Sequence, residues 1–162
     1  MKQIKLNLDQ DVLDNHIQKY PNSCVPMCIE LVLKLMGKVG VDYYELQDEK
    51  GDIPRWGGEY DKKIIHDTQI TMEFNKLRGP GFPLNDLFDK ICQEIDAGRF
   101  VNCAWRPSGS VNYHAFVIYG YEGDEILSLT KYYNNNQIDF INDMKTKLIN
   151  IQGSDILTFT QV

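Results

Sequence analysis

The stretch that decides the fold is Cys24-Val-Pro-Met-Cys-Ile-Glu-Leu-Val-Leu-Lys-Leu-Met36. Its apolar side chains recur at the spacing of one helix face, which predicts an amphipathic helix over this whole stretch. Pro26 suits the first helical turn, where a missing N–H costs nothing, and Gly37 stands just past the end. Glu30 and Lys34 form an i,i+4 pair that we expect on the opposite side of this helix.

The rest of the chain changes from helical to strand periodicity. A short helix is expected over 42–50, a loop-like stretch over 51–83, and a second amphipathic helix over 84–97. Strands are predicted at Phe100–Trp105, Ala115–Tyr121, Glu125–Thr130, Gln137–Ile141 and Ile156–Thr160. Gly123 marks a hairpin turn, and Asn134 lies in a second turn or loop. Helices followed by an antiparallel meander indicate an α+β fold, with 1–162 as a single domain.

Composition excludes several classes of function. The 162 residues hold 17 Lys and Arg against 23 Asp and Glu, a net charge of −6, which argues against nucleic acid as a partner. No segment approaches the ~18 consecutive apolar residues of a membrane span. The N-terminus has no apolar signal-peptide core, so we expect a cytoplasmic protein, although a leader removed earlier would leave the same sequence. The composition says nothing about the oligomeric state.

The four cysteines contain no CxxC pair and are too few for a disulfide scaffold. We expect no metal and no cofactor, because no close pair of ligands accompanies a second pair. Cys28, Cys92 and Cys103 are interpreted as core residues. Cys24 differs from them because it stands at a helix start, where unpaired N–H groups are expected to lower the pKa of the thiol.

His114 and Gln18 are the other candidate site residues. His114 begins a predicted strand just after a loop, where a catalytic base is held rigidly and stays reachable. Gln18 lies six residues before Cys24, and its amide could donate to an oxyanion together with the Cys24 N–H. His16 and His66 lie in less patterned segments and are expected at the surface.

The stretch Gln18-Lys-Tyr-Pro-Asn-Ser-Cys-Val-Pro-Met27, followed by an apolar helix, resembles the nucleophile motif of papain-like cysteine peptidases. The resemblance is to the bacterial branch that processes bacteriocin leaders (the double-glycine peptidases). The segments Gly98-Arg-Phe-Val-Asn-Cys-Ala-Trp105 and His114-Ala-Phe-Val-Ile-Tyr-Gly-Tyr-Glu-Gly-Asp124 resemble that family's next strand and its histidine strand. The resemblance implies a papain-like fold, with N-terminal helices packed on a C-terminal antiparallel sheet. It also implies a thiol peptidase that acts on a peptide or protein substrate.

Residue by residue, the resemblance implies that Cys24 is the nucleophile, His114 the general base and acid, and Gln18 the oxyanion donor. The family's third member is an Asp or Asn, but the matching position here is Thr130, sixteen residues after His114. A hydroxyl can orient an imidazole but stabilises an imidazolium less well than a carboxylate does. Asn134 is the alternative orienting residue if the strand bulges.

Two further functions follow from the same residues. An acyl-thioester on Cys24 could be resolved by an amine, which would make the protein an acyltransferase or deamidase. The departure at Thr130 also suggests a catalytically inactive domain that binds peptides or proteins. Its groove would be lined by aromatic residues of the loops and strands: Trp56, Tyr60, Phe82 and Trp105. The stretch 51–83 is expected to border the cleft and to influence substrate choice.

Overall fold

The computed structural model describes residues 2–107, 110 and 112–162, and its strands form one antiparallel sheet. The strands are β1 Gln3–Lys5, β2 Ile64–Ile65, β3 Thr68–Glu73, β4 Val101–Trp105, β5 His114–Glu122, β6 Glu125–Tyr132, β7 Asn135–Ile141 and β8 Ile156–Gln161. The helices are α1 Gln10–Asn15, α2 Cys24–Leu35, α3 Glu45–Lys50, α4 Leu84–Asp96 and α5 Met144–Asn150, with a 3-10 turn at Gly57–Tyr60. The protein is therefore α+β, with helices at its N-terminal end.

The long periodic segments fold as predicted. Helices α2 and α4 and strands β4 to β8 lie where their patterns place them, within two residues at each end. The loop prediction for 51–83 is wrong in part, because this stretch contains the 3-10 turn, β2 and β3. The short elements β1, α1 and α5 carry too few residues for a periodic signal, and tertiary contacts stabilise them.

The sheet is not a simple meander. Its order is β2-β3-β8-β4-β5-β6-β7, so the C-terminal strand inserts between β3 and β4, and β1 pairs with the end of β5. Gly120 permits that pairing, since a Cβ atom there would lie 2.5 Å from the carbonyl oxygen of Ile4. The register that matters for the site pairs Trp105 with His114 and Ala104 with Ala115.

Two apolar cores pack against opposite faces of the sheet. On one face, α1, α2 and α3 cover side chains such as Val117 and Leu129. On the other face, α4 and α5 cover neighbours such as Phe116 and Ile118. The alternation along β5 explains this arrangement, because successive side chains of a strand point to opposite faces.

The sequence was misleading about the polar side of α2. Glu30, Lys34 and His16 are buried rather than exposed. The Glu30 carboxylate accepts hydrogen bonds from the backbone N–H groups of Leu46 and Gln47 at 2.9 and 3.2 Å, at the start of α3. The Lys34 ammonium lies 2.9 Å from Nδ1 of His16. Packing of α1 and α3 against α2 encloses these groups, which periodicity within α2 alone cannot indicate.

The cysteines divide as follows. Cys28 and Cys103 are buried, as expected for core residues, whereas Cys92 is half-buried at the surface of α4.

His66 is exposed, as predicted. Among the residues described here, no helix combines the length and the apolar character needed to cross a lipid bilayer.

Candidate active site

Cys24 and His114 line one cleft of about 240 Å³ where the start of α2 lies over the start of β5. The packing of α2 across β5 brings together two residues that are ninety positions apart in the chain. The remaining lining residues come from α2, β4, β5, the segment after α3, the segment between β3 and α4, and the residues just before β5 and β8: Val25, Arg55, Trp56, Gly57, Arg78, Ala104, Tyr113, Ala115 and Asp155.

The first turn of α2 presents backbone N–H groups near the Cys24 thiol. The Ser23 hydroxyl makes no capping bond and instead donates to Oε1 of Gln47 at 2.7 Å. Pro26 has no N–H group. The N–H groups of Cys24 and Val25 are therefore not taken up by a side-chain cap, and they favour the thiolate of Cys24.

Burial nevertheless dominates the titration of Cys24. Loss of solvent raises the pKa of the thiol, and the opposing effects of the Ala115, Val25 and Cys24 N–H groups are smaller. The expectation of a lowered thiol pKa is therefore wrong in direction, because desolvation penalises the charged thiolate more than one helix start stabilises it. At neutral pH the sulfur carries its proton.

The His114 ring is anchored through Nε2. This nitrogen lies 2.8 Å from Oγ1 of Thr130 and 3.0 Å from the carbonyl oxygen of Lys131. Since a carbonyl oxygen only accepts, Nε2 must carry the hydrogen, and Nδ1 is left with the lone pair. The Thr130 hydroxyl in turn donates to the carbonyl oxygen of Ala115 at 2.8 Å. His114 is thus held as the tautomer that can accept a proton at Nδ1.

Aromatic packing and burial keep this imidazole neutral. Its ring stacks on Tyr132 with centroids 4.4 Å apart, and it meets Phe116 edge-on at 5.4 Å. Burial lowers the pKa of His114 to about 4. Among the hydrogen bonds of the described residues, none joins the Cys24 sulfur to the His114 ring. The resting pair is therefore a neutral thiol facing the same cleft as a neutral imidazole.

The structure distinguishes between the two candidate orienting residues. Strand β6 is irregular between Thr130 and Tyr132, yet Thr130 and the Lys131 carbonyl are the Nε2 partners found among the described residues. Asn134 lies in the β6–β7 turn with φ of 62°, and it is exposed. The turn conformation suits asparagine, which tolerates left-handed backbone better than most residues.

Gln18 is buried near the site, but its amide is directed elsewhere. Its Nε2 donates to the carbonyl oxygens of Tyr20 and Pro21 at 2.9 and 3.1 Å, so both amide hydrogens are used within the loop that precedes α2. Gln18 lines a neighbouring pocket with Tyr132 and Asn134 rather than the cleft of Cys24. Its role as an oxyanion donor stays a prediction, and it would require the amide to leave these carbonyls.

One of the four aromatic residues proposed for a groove lines the cleft. Trp56 does so with 55% of its surface exposed. Tyr60 and Phe82 are buried, and Trp105 packs into the core on the α4 side of the sheet. As expected, the segment 51–83 borders the cleft, through Trp56 and three further residues: Arg55, Gly57 and Arg78.

A positive and aromatic wall completes the cleft. The Arg78 guanidinium lies 4.4 Å from the ring centroid of Tyr113, the residue before His114, and 3.9 Å from a carboxylate oxygen of Asp155. Burial raises the pKa of Asp155, and the charge of Arg78 opposes this shift. Nη1 of Arg55 lies 2.7 Å from Oε2 of Glu59, so these two residues form a salt bridge.

Among the residues that the sequence analysis did not name, three carried a signal that could have revealed them. The Lys131 carbonyl and the Tyr132 ring follow Thr130 directly, so the residues after a candidate orienting position could have suggested them. Asn102 lies on the same face of β4 as Ala104, which alternation along the predicted strand could have shown.

A scan of the chain against protein-family models found no matching family, and a search of curated proteins found no match. The site is therefore interpreted from its own geometry and from the motif resemblance described above.

Proposed function

We propose that this protein is a papain-like thiol hydrolase that cleaves a peptide or amide bond through an acyl-thioester on Cys24. The observation that carries the proposal is the shared cleft of Cys24 and His114, with the His114 ring anchored at Nε2 on Thr130 and the Lys131 carbonyl. A nucleophile, a base and a residue that orients the base are the parts that covalent catalysis by a thiol requires.

The neutral pair implies general-base catalysis rather than a preformed ion pair. As the Cys24 sulfur attacks the substrate carbonyl, its proton moves to Nδ1 of His114. The carbonyl oxygen becomes an oxyanion, and the N–H groups of Cys24 and Val25 at the helix start are available to donate hydrogen bonds to it. The imidazolium that forms is oriented by Thr130 without the help of a negative charge.

The second half of the reaction restores the enzyme. The C–N bond breaks, and the leaving amine takes the proton from Nδ1 of His114, which leaves a thioester on Cys24. Water then attacks the thioester carbonyl and gives a proton to Nδ1. The C–S bond breaks, the acid product leaves, and the sulfur recovers its proton. With an amine in place of water the same thioester would yield acyl transfer.

A second candidate, a catalytically inactive domain that binds peptides, is favoured by a specific observation. Burial shifts the pKa of Cys24 upward and that of His114 downward, so both groups are neutral and less activated than an ion pair. The exposed Trp56 side chain in the same cleft offers apolar area for a bound peptide.

A peptide library with mass-spectrometric readout separates the two functions. Wild-type protein is expected to cleave a subset of peptides, and a Cys24 acyl adduct should be trapped by rapid acid quenching. Cys24→Ala should abolish both signals, whereas Cys92→Ala, at a half-buried cysteine on α4, should keep them. No cleavage and no adduct, together with peptide binding that survives Cys24→Ala, would establish the binding domain instead.

A further inference from the structure

A small cavity of about 40 Å³ adjoins the cleft beside Cys24. It shares five lining residues with the cleft: Val25, Gly57, Ala104, Ala115 and Asp155. Its other walls are formed by Asn102, Cys103, Ile156 and Leu157. The cavity and the cleft are therefore neighbours, with no further residues between them than those that line both.

Asn102 is the unusual residue of this cavity. It is 4% exposed, and neither its Oδ1 nor its Nδ2 has a hydrogen-bond partner among the described residues. It alternates with Val101 and Cys103, which face the α4 side of the sheet, so it lies on the α2 side with Ala104. Buried side-chain amides are ordinarily paired, so both ends of this amide are available to a polar group that enters the cavity.

We propose that this cavity is a substrate subsite that binds a primary carboxamide, the side chain of Asn or Gln, through Asn102. The inference rests on the proposed function and names the substrate class for the same cleft. Asn102 offers an unpaired acceptor atom, Oδ1, and an unpaired donor atom, Nδ2, and a second carboxamide supplies both a donor and an acceptor to pair with them. The cavity has room for about three water-sized groups, which matches the three heavy atoms of a carboxamide.

Other side chains fit this cavity less well. An apolar end group leaves both atoms of Asn102 unpaired, which a site built for hydrogen bonding rejects. An ammonium can donate to Oδ1 of Asn102 and to the Asp155 carboxyl group, but it supplies no acceptor for Nδ2 of Asn102. A carboxylate has no donor for Oδ1, and it also meets the carboxyl group of Asp155 in the wall.

The test uses three series of peptidyl vinyl sulfones. Each series varies the side chain at one of the three positions before the reactive group. Gln is compared with Met, Asn with Leu, and Gln with Glu and Lys, and labelling of Cys24 is followed by intact mass. At one position the carboxamide probes are expected to label Cys24 about tenfold or more faster than their apolar isosteres. This comparison is made within wild-type protein and does not depend on the folding of a variant.

Two variants link the preference to its residue. Asn102→Leu should remove the preference while labelling by the Met and Leu probes persists. Asn85→Leu, at an exposed asparagine on α4, should keep the preference. Thermal unfolding of each variant shows whether it remains folded.

The outcomes separate the subsite from the proposed function. Equal labelling of Cys24 by all probes would retain the thiol enzyme and overturn the subsite, leaving Asn102 to bind water only. If no probe labels Cys24, the hydrolase proposal fails. The subsite is then judged by binding of Gln and Met peptides to Cys24→Ser, where selective binding of the Gln peptide supports it and equal binding overturns it.

Discussion

Nε2 of His114 lies 2.8 Å from Oγ1 of Thr130, so a neutral hydroxyl rather than a carboxylate contacts this imidazole nitrogen. The Thr130 hydroxyl donates a hydrogen bond to the Ala115 carbonyl oxygen and accepts one from Nε2 of the imidazole. This arrangement defines the tautomer of His114 but adds no negative charge to stabilise the imidazolium. Orientation and electrostatic stabilisation, which a carboxylate supplies together, are therefore separated in this site.

Replacing Thr130 by Val removes one of the two acceptors for Nε2 of His114 and leaves the Lys131 carbonyl, while preserving the shape of the side chain. We expect the rate of Cys24 acylation to fall by about 10- to 100-fold, because the His114 ring is held less firmly by the one remaining acceptor. Thr130→Ser keeps the hydroxyl and should remain within a few-fold of wild type. The rate of Cys24 acylation in each protein is measured with a labelling peptide and followed by intact mass. Equal rates for Thr130→Val and wild type would show that the hydroxyl does not position the base.

Alkylation by iodoacetamide tests the link between Cys24 and His114 without a substrate. We expect Cys24 to react faster than the buried Cys28 and Cys103 at pH 7, and His114→Gln to slow it about tenfold through loss of the base. Cys92 is the internal control, because burial raises the pKa of its thiol too and His114 does not act on it. Equal slowing of Cys24 and Cys92 would show that the effect of His114→Gln is not specific to Cys24 and would contradict the role of His114 as its base.

The free energy of unfolding below neutral pH should report the burial of His114. Burial lowers its pKa from 6.5 to about 4, so between these values the unfolded chain binds a proton that the folded chain does not. The free energy of unfolding therefore falls as the pH drops through this window, by about 1.4 kcal/mol per pH unit at most for this one group.

Urea titrations at pH 6.5, 5.5 and 4.5 measure that slope, and His114→Gln should make it shallower. Two other buried groups also titrate in or near this range. Burial lowers the pKa of His16 to about 3 and raises that of Glu30 to about 7, with opposite effects on the slope. His16 and Glu30 are present in both wild type and His114→Gln, so their effects cancel in the difference between the two slopes. The exposed His66→Gln variant should follow wild type, and an unchanged slope in His114→Gln would show an accessible ring.

Lys131 is expected to destabilise the fold. Its side chain is fully buried, and its ammonium has no hydrogen-bond partner among the described residues. Burial lowers the pKa of Lys131, which indicates that the charged form is disfavoured there. Lys131→Met should raise the free energy of unfolding by about 1–3 kcal/mol, as measured by urea denaturation. Lys5→Met, at an exposed strand lysine, should change it little, and a less stable Lys131→Met would indicate an internal partner such as bound water.

The elements that were predictable are those whose pattern is contained in one segment. The apolar spacing of α2 and α4 and the alternation of β5 and β6 indicate these elements without reference to the rest of the chain. Strands β2 and β3 escaped prediction because β3 is held by pairing with β8, about ninety residues later in the chain, and β2 pairs with β3. A strand of this kind owes its stability to its partner more than to its own residues.

The candidate site divides in the same way. The sequence by itself placed Cys24 at a helix start and His114 at a strand start, because both are local properties, and the motif resemblance pointed to Thr130. Only the tertiary structure decided their protonation states, the use of the Gln18 amide by loop carbonyls, and the unpaired carboxamide of Asn102. The physical reason is that desolvation and hydrogen-bond partners depend on which remote segments close over a side chain.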